Sequence, residues 1–198
     1  MWYGMCNDPF QGVSVSLMEM LDAREQRVAR QEQMLSQTKG TLLCATMNIP
    51  GPVKQSPIIE QVFLTIVQQI KQQFSEIASQ ECLFSNLKTG PEYYFHCSLD
   101  PMVLKQKMVA IEETQPLGRL VDLDVHWLAN NGSIATLSRN DLGLPSRSCL
   151  ICQKDAKECG RARVHSIQEM QAKIIQIIQN GKECNDEKTN SLYGNRTS

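Results

Sequence analysis

The sequence predicts a single α+β domain: a mixed sheet of about five strands, including a hairpin over 119–138, packed by about five helices. Three observations lead there. The chain has 198 residues, enough for one well-buried core. Apolar runs with strand character (41–49, 93–98, 120–128) alternate irregularly with runs of helical period. Composition is that of a globular protein, at 41% hydrophobic and 21% charged residues. Twenty basic against twenty-one acidic side chains leave a formal charge of -1, which argues against coating a polyanion, so no nucleic acid is expected as a partner. No run is long and apolar enough to span a membrane, and the start, MWYGMCNDPFQG, has no secretory pattern. A cytoplasmic protein with reduced thiols is therefore expected for the eight cysteines.

Residues 1–14 read as a loosely attached arm, 15–180 as the domain, and 181–198 as a disordered polar tail. Ser16 to Glu19 has the S-x-x-E form of a capping box, and helix formers continue to Gly40. Leu17, Leu21, Val28 and Leu35 repeat on one stripe of that helix, with Arg24 and Gln31 inside it. Residues 41–49 form a buried strand between Gly40 and Pro50. After the break at 50–54, Ser56 caps and Pro57 opens a helix whose face (Ile59, Val62, Phe63, Ile66, Ile70) is the strongest apolar period in the chain. Cys82–Phe84 and Tyr93–Ser98 are strands, and Asp100-Pro101 begins another helix. Asn130-Asn131-Gly132 turns the hairpin. A short helix near 154–163 and a second capping box, Ser166 to Glu169, complete the elements.

Three constellations carry chemistry. Asp122 and Asp124, two apart in a strand, point to one face with Cα atoms roughly 6–7 Å apart, and apolar residues flank them. Mg²⁺ or Mn²⁺ is the natural counter-charge to such a pair, and that pair would then bind substrate phosphates. A solvent-facing edge with ordinary acidic residues is the other reading.

Basic residues form the second set. Lys54 follows a Gly/Pro loop at a helix entry, and Arg119 directly precedes the aspartates. Arg139, Arg147, Arg161 and Arg163 belong to a segment, 139–163, with six basic and three acidic side chains. These are either a polyphosphate cradle or a solvated basic surface.

The third is Cys149, Cys152, Cys159 and His165. Three thiolates and an imidazole can close a tetrahedral structural zinc site, though only the C-x-x-C knuckle has a common finger spacing. Free thiols, with His165 as a helix-end residue, are the competing reading. His126, on the same face as Asp124, is a further candidate for proton transfer or metal contact.

Ser16–Arg27 (SLMEMLDAREQR), Asn48–Lys54 (NIPGPVK), Leu117–Val125 (LGRLVDLDV) and Arg147–Cys152 (RSCLIC) with Cys159, Arg161 and His165 together resemble the holo-citrate lyase synthase family, also called apo-citrate lyase phosphoribosyl-dephospho-CoA transferases. The resemblance implies transfer of the phosphoribosyl-dephospho-CoA group from its triphosphate precursor, triphosphoribosyl-dephospho-CoA, to a serine of the acyl-carrier subunit of citrate lyase. Pyrophosphate is released. It further implies that Asp122 and Asp124 hold Mg²⁺ and that Arg119 and Lys54 cradle the triphosphate. Arg24, Arg139, Arg147 and Arg161 support them, and the Gly51 and Gly118 turns let backbone approach phosphate. The Asp-x-Asp strand is preceded by Gly118-Arg119 rather than by the distant Gly-Ser pair of polymerase-β-like nucleotidyltransferases. A zinc-stabilised module that docks an acidic partner through 139–163 is the alternative function.

Overall fold

Every strand of the sheet pairs antiparallel with its neighbours, in the order β2-β3-β1-β4-β5. The computed structural model describes residues 8–193, with side chains to Gly181. The elements are α1 (Leu17–Gln37), β1 (Thr41–Met47), α2 (Pro57–Gln73), β2 (Ser79–Phe84), β3 (Glu92–Cys97), α3 (Pro101–Thr114), β4 (Val121–Leu128), β5 (Ile134–Leu137), α4 (Ala156–Ala162) and α5 (Ile167–Tyr193). The expected α+β class holds in strand and helix number. The sheet is antiparallel rather than mixed, because each connection returns the chain beside an oppositely running strand.

Local chemistry sets the boundaries. Ser16 and Glu19 close the capping box of α1 in both directions, at 2.8 and 3.2 Å. Ser56 caps α2 through the Ile59 amide, with Pro57 in its first turn. Asp100 accepts from Met102 and Val103 at the start of α3. Gly132 takes φ +79° in the β4–β5 turn, a conformation that costs a residue without Cβ little.

One sheet face carries the main core. Leu43, Tyr93, Phe95, Leu123 and Val125 pack under Phe63 and Ile66 of α2, Leu104 and Met108 of α3, and Ile174 and Ile178 of α5. The opposite face is smaller: Leu42, Cys44 and Tyr94 lie under Leu35 of α1. Burial on both faces is why β1 and β3 read as continuous apolar runs.

The first helix departs from the expected stripe. Leu17, Leu21 and Val28 are exposed, and the buried positions are Ala23, Gln31 and Leu35. The reason lies in the surface beneath: Glu92 on β3 is buried and receives Arg27 at 3.0 Å and Arg30 at 2.7 Å. Arg30 also covers the Phe84 ring at 4.7 Å. Those polar contacts fix the rotation of α1 and turn Leu17, Leu21 and Val28 outward.

The start of the chain is less loose than expected where it is described. Pro9 is buried, its carbonyl accepts from Ser56 Oγ at 2.7 Å, and Phe10 packs on the main core. Residues 1–7 lie outside the described residues. At the other end, α5 runs past Gly181, where composition placed the start of a polar tail, to Tyr193.

Gly118 begins the 3-10 turn before β4. An added Cβ there would collide with the Ile111 carbonyl and sit 2.9 Å from Glu112 Cα. Gly118→Ala should therefore destabilise the domain by about 1–3 kcal/mol, as overpacking does, read as a lower midpoint in chemical denaturation. An unchanged midpoint would contradict this packing.

Candidate active site

The site is built on an interrupted sheet edge. β5 pairs with β4 only along Val125–Leu128, so Val121–Asp124 has no strand on its outer side. Buried backbone groups left unpaired are costly, and here side chains serve them. Arg147 Nη2 donates to the Val121 carbonyl at 2.9 Å, and Lys105 Nζ donates to the Leu123 carbonyl at 2.7 Å. The Leu123 amide donates to Glu112 Oε1 at 3.3 Å.

Glu112 is the hub. Its side chain is 4% exposed and receives Arg147 at 2.7 Å and Arg139 at 2.5 Å. Arg139 also reaches Glu113, at 2.7 Å. Burial alone would lower the Arg139 pKa, but the two carboxylates overcome it and raise it. Lys105 shows the reverse balance: burial holds its ammonium below the ordinary lysine value despite Asp124 and Glu112 nearby.

Asp122 and Asp124 do share a face of β4, opposite Thr46 and Cys44 of β1. It is the face away from the main core, to which Leu123 and Val125 belong. Asp122, at 41% exposure, takes Arg147 Nη1 at 2.6 Å and lies 3.5 Å from the Asn48 amide nitrogen. Burial raises its pKa, with the Arg147 charge opposing. Asp124 is exposed. Arg147 thus forks, one nitrogen on Asp122 and the other on Glu112 and β4 backbone. A cleft of about 470 Å³ opens over this pair, lined among others by Lys105, Asp122, Asp124, Arg139, Arg147 and Lys157.

The cysteines and His165 converge although their spacing is unusual. Their ligating atoms all lie within 4.8 Å of one another, so this Cys₃His cluster can hold a metal ion. Folding brings it about in two steps. Gln153, at φ +65°, reverses the chain after the C-x-x-C knuckle, and α4 then carries Cys159 back to Cys152, sulfur to sulfur 3.4 Å. Burial pushes the Cys149 thiol up, but the amides of Cys152 and Ile151 point at its sulfur and leave its pKa below the ordinary value. Cys159 is pushed up to about 12 by its hydrogen bond with Cys152 and by burial. His165 Nε2 is buried without a hydrogen-bond partner. Beside the cluster is a second cavity, of about 720 Å³.

The remaining candidates divide. Arg119 lines that second cavity and donates to the Ser148 carbonyl; burial, then Arg147 and Arg139, lower its pKa. Lys54 donates to the Ile49 carbonyl, and burial with the nearby Arg24 charge lowers its pKa. Arg24 itself is exposed. Gly51, at φ +90°, faces Gln171 and Ile167 of α5. Gly118 packs on α3 instead of facing a cavity. Arg161 lines neither cavity, while its neighbour Arg163 lines the larger one. His126 is buried between Gln31 and Thr136, at 3.3 and 2.8 Å, behind the cleft wall that Thr136 forms rather than in its lining. Sequence reasoning missed Lys105, Glu112 and Asn48. Lys105 and Glu112 lie seven apart on α3 among Leu104, Met108 and Ile111, and charges inside an apolar helical face are the signal that marks them.

The profile of the family "Apo-citrate lyase phosphoribosyl-dephospho-CoA transferase" matches residues 15–181. The chain belongs to this family. It is an enzyme of the transferase class. A "Probable apo-citrate lyase phosphoribosyl-dephospho-CoA transferase" of Streptococcus pyogenes serotype M18 is 44% identical over 178 residues, 88% of this chain and 91% of the relative. An "Apo-citrate lyase phosphoribosyl-dephospho-CoA transferase" of Escherichia coli O139:H28 is 33% identical, covering 87% and 93%. "Protein CitXG" of Haemophilus influenzae is 37% identical over 86% of this chain, which spans 36% of that longer protein.

For a family member whose cleft floor is held by Glu112, that carboxylate should matter more to stability than its exposed neighbour. Glu112→Gln should cost about 3–5 kcal/mol, since it leaves two half-buried arginines underpaired around a buried site. Glu113→Gln, at a side chain 55% exposed, should stay within about 0.5 kcal/mol of the parent. Urea denaturation of the two variants compares them; equal losses would refute the hub.

Proposed function

We propose that this chain transfers the phosphoribosyl-dephospho-CoA group from triphosphoribosyl-dephospho-CoA to a serine of the acyl-carrier subunit of citrate lyase, releasing pyrophosphate. The observation that carries the reading beyond family membership is the Asp122–Arg147 pair at 2.6 Å, beside Asp124 and under a cation-lined cleft. The serine oxygen forms a bond to the phosphorus next to the ribose, and the bond from that phosphorus to the pyrophosphate oxygen breaks in line. The serine proton passes to a carboxylate of the Asp122–Asp124 pair.

Asp122 and Asp124 offer oxygen donors, which suits a hard cation, so Mg²⁺ or Mn²⁺ is the ion the pair would hold. When bound, it supplies charge neutralisation for the phosphate oxygens. Arg147 is positioned to exchange its Asp122 contact for a phosphoryl oxygen while Glu112 and the Val121 carbonyl hold its other nitrogen. Arg119 and Arg139 add fixed positive charge. Lys54 and Arg24 line neither cavity, and no phosphate contact is assigned to them.

For the Cys₃His cluster we propose a structural zinc. Three sulfurs and one imidazole are its preferred donor set, and the unpartnered Nε2 of His165 fits a ligand's role. The exposed Lys154, Lys157, Arg161 and Arg163 around it offer a docking surface to the carrier, which is acidic in this reading. Among the described residues no helix is long and apolar enough to cross a membrane. The six described cysteines are free, which supports a cytoplasmic setting.

Intact-mass measurement of the apo-carrier, incubated with this protein, the precursor and Mg²⁺, should show the added prosthetic group. Asp122→Asn and Asp124→Asn should each slow the modification at least about 100-fold, a loss of about 2.7 kcal/mol or more in transition-state stabilisation, while both variants unfold at the parent's midpoint. An unmodified carrier refutes the reaction, and full activity in both variants refutes the site. Elemental analysis should find one zinc per chain, and chelation should lower the thermal midpoint. Metal-free protein with an unchanged midpoint would dismiss the zinc.

A further inference from the structure

Two cavities that differ in the number of charged side chains lining them meet at Arg147. Asn48, Arg147 and Ala156 line both. The smaller, charged cleft holds Asp122, Asp124, Arg139 and Lys157. The larger, about 720 Å³, falls within the roughly 300–1,000 Å³ typical of small-molecule sites. Its wall is largely apolar: Pro50 from the β1 exit, Leu150 from the knuckle, and Ile167 and Met170 from α5. Ile167 is 49% exposed, an apolar side chain left uncovered at the cavity wall. Arg119 and Arg163 supply cations there.

A transferase that splits its substrate beside Asp122 must accommodate two unlike halves. One is pyrophosphate, small and densely charged. The other is a nucleotide whose adenine and long pantetheine arm are uncharged, with its charge confined to its own diphosphate. We infer that the larger cavity, between the Cys₃His module and the first turns of α5, binds the dephospho-CoA arm, and that the charged cleft takes the pyrophosphate end. This rests on the transferase reading above and gives it a direction. Apolar walls and a methionine suit the adenine and pantetheine, while Arg119 and Arg163 suit the diphosphate between them. The opposite orientation would put the uncharged arm among the seven acidic and basic side chains that line the cleft and leave the less charged cavity to pyrophosphate. Because Cys149, Cys159 and His165 also line the larger cavity, the metal module is part of its wall.

Gly160 provides the test. It lines the cavity from α4, and an added Cβ there meets nothing within 4 Å. Gly160→Phe fills the cavity without a backbone clash and replaces the poorest helix former but proline. Ile167→Glu, at an exposed position in the first turn of α5, is the second variant and suits the helix dipole. Calorimetric titration of the full chain in Mg²⁺ buffer uses two probes, dephospho-CoA and pyrophosphate. Both variants should bind dephospho-CoA at least tenfold more weakly and pyrophosphate within twofold of the parent. Lys157→Ala should do the reverse, and saturating pyrophosphate should leave dephospho-CoA binding intact. The inference is overturned if the parent does not bind dephospho-CoA, if both cavity variants bind it normally, or if pyrophosphate competes with it. Failure of the transferase reading looks different: the carrier stays unmodified while the two probes still separate between the cavities.

Discussion

The arrangement depends on the half-open edge of β4. A strand that stopped with its neighbour would need nothing more; one that continues by four residues exposes carbonyls and amides that must be paired. α3 and the 139–147 loop pair them with Glu112, Lys105 and Arg147. The same contacts do two things at once. They close the edge against another strand, and they leave a charged, half-solvated floor next to Asp122. Edge protection and site construction are one structure here.

Arg147 is where these demands meet. Its guanidinium satisfies β4 backbone, neutralises buried Glu112 and reaches Asp122. A lysine could not make all three contacts from one planar fork. Arg139, held by Glu112 and Glu113, is similarly committed. The basic excess of the 139–163 segment therefore divides by role. Its first arginines are structural counter-ions of Glu112 and Glu113 on α3, and its later lysines and arginines remain at the surface around the metal-ligating cluster.

The sequence conveyed the capping boxes, the proline-led helices, the hairpin and the apolar face of α2, because each is decided by neighbours three or four positions away. It misread α1 for the opposite reason. Leu17, Leu21 and Val28 form a sound apolar stripe, yet the residue that orients the helix, Glu92, lies 65 positions from Arg27. The site was half legible. The Asp-x-Asp alternation and the cysteine knuckle are local patterns, whereas Lys105 and Glu112 looked like ordinary helical charges until β4 was laid beside them.

What the sequence determined by itself was the family, the α+β composition and the side-chain chemistry available: paired carboxylates, an arginine-rich segment, three thiols and an imidazole. Tertiary structure decided which of these meet. Spacing left Cys159 and His165 unplaced; the reversal at Gln153 and the short α4 brought them to the knuckle. The resemblance singled out Arg161 and not Arg163, yet the turn out of α4 sends Arg163 to the cavity. The physical reason is range. Hydrogen-bonded caps and helical periods are set within a few residues, but a buried charge finds its partner wherever the sheet order puts one.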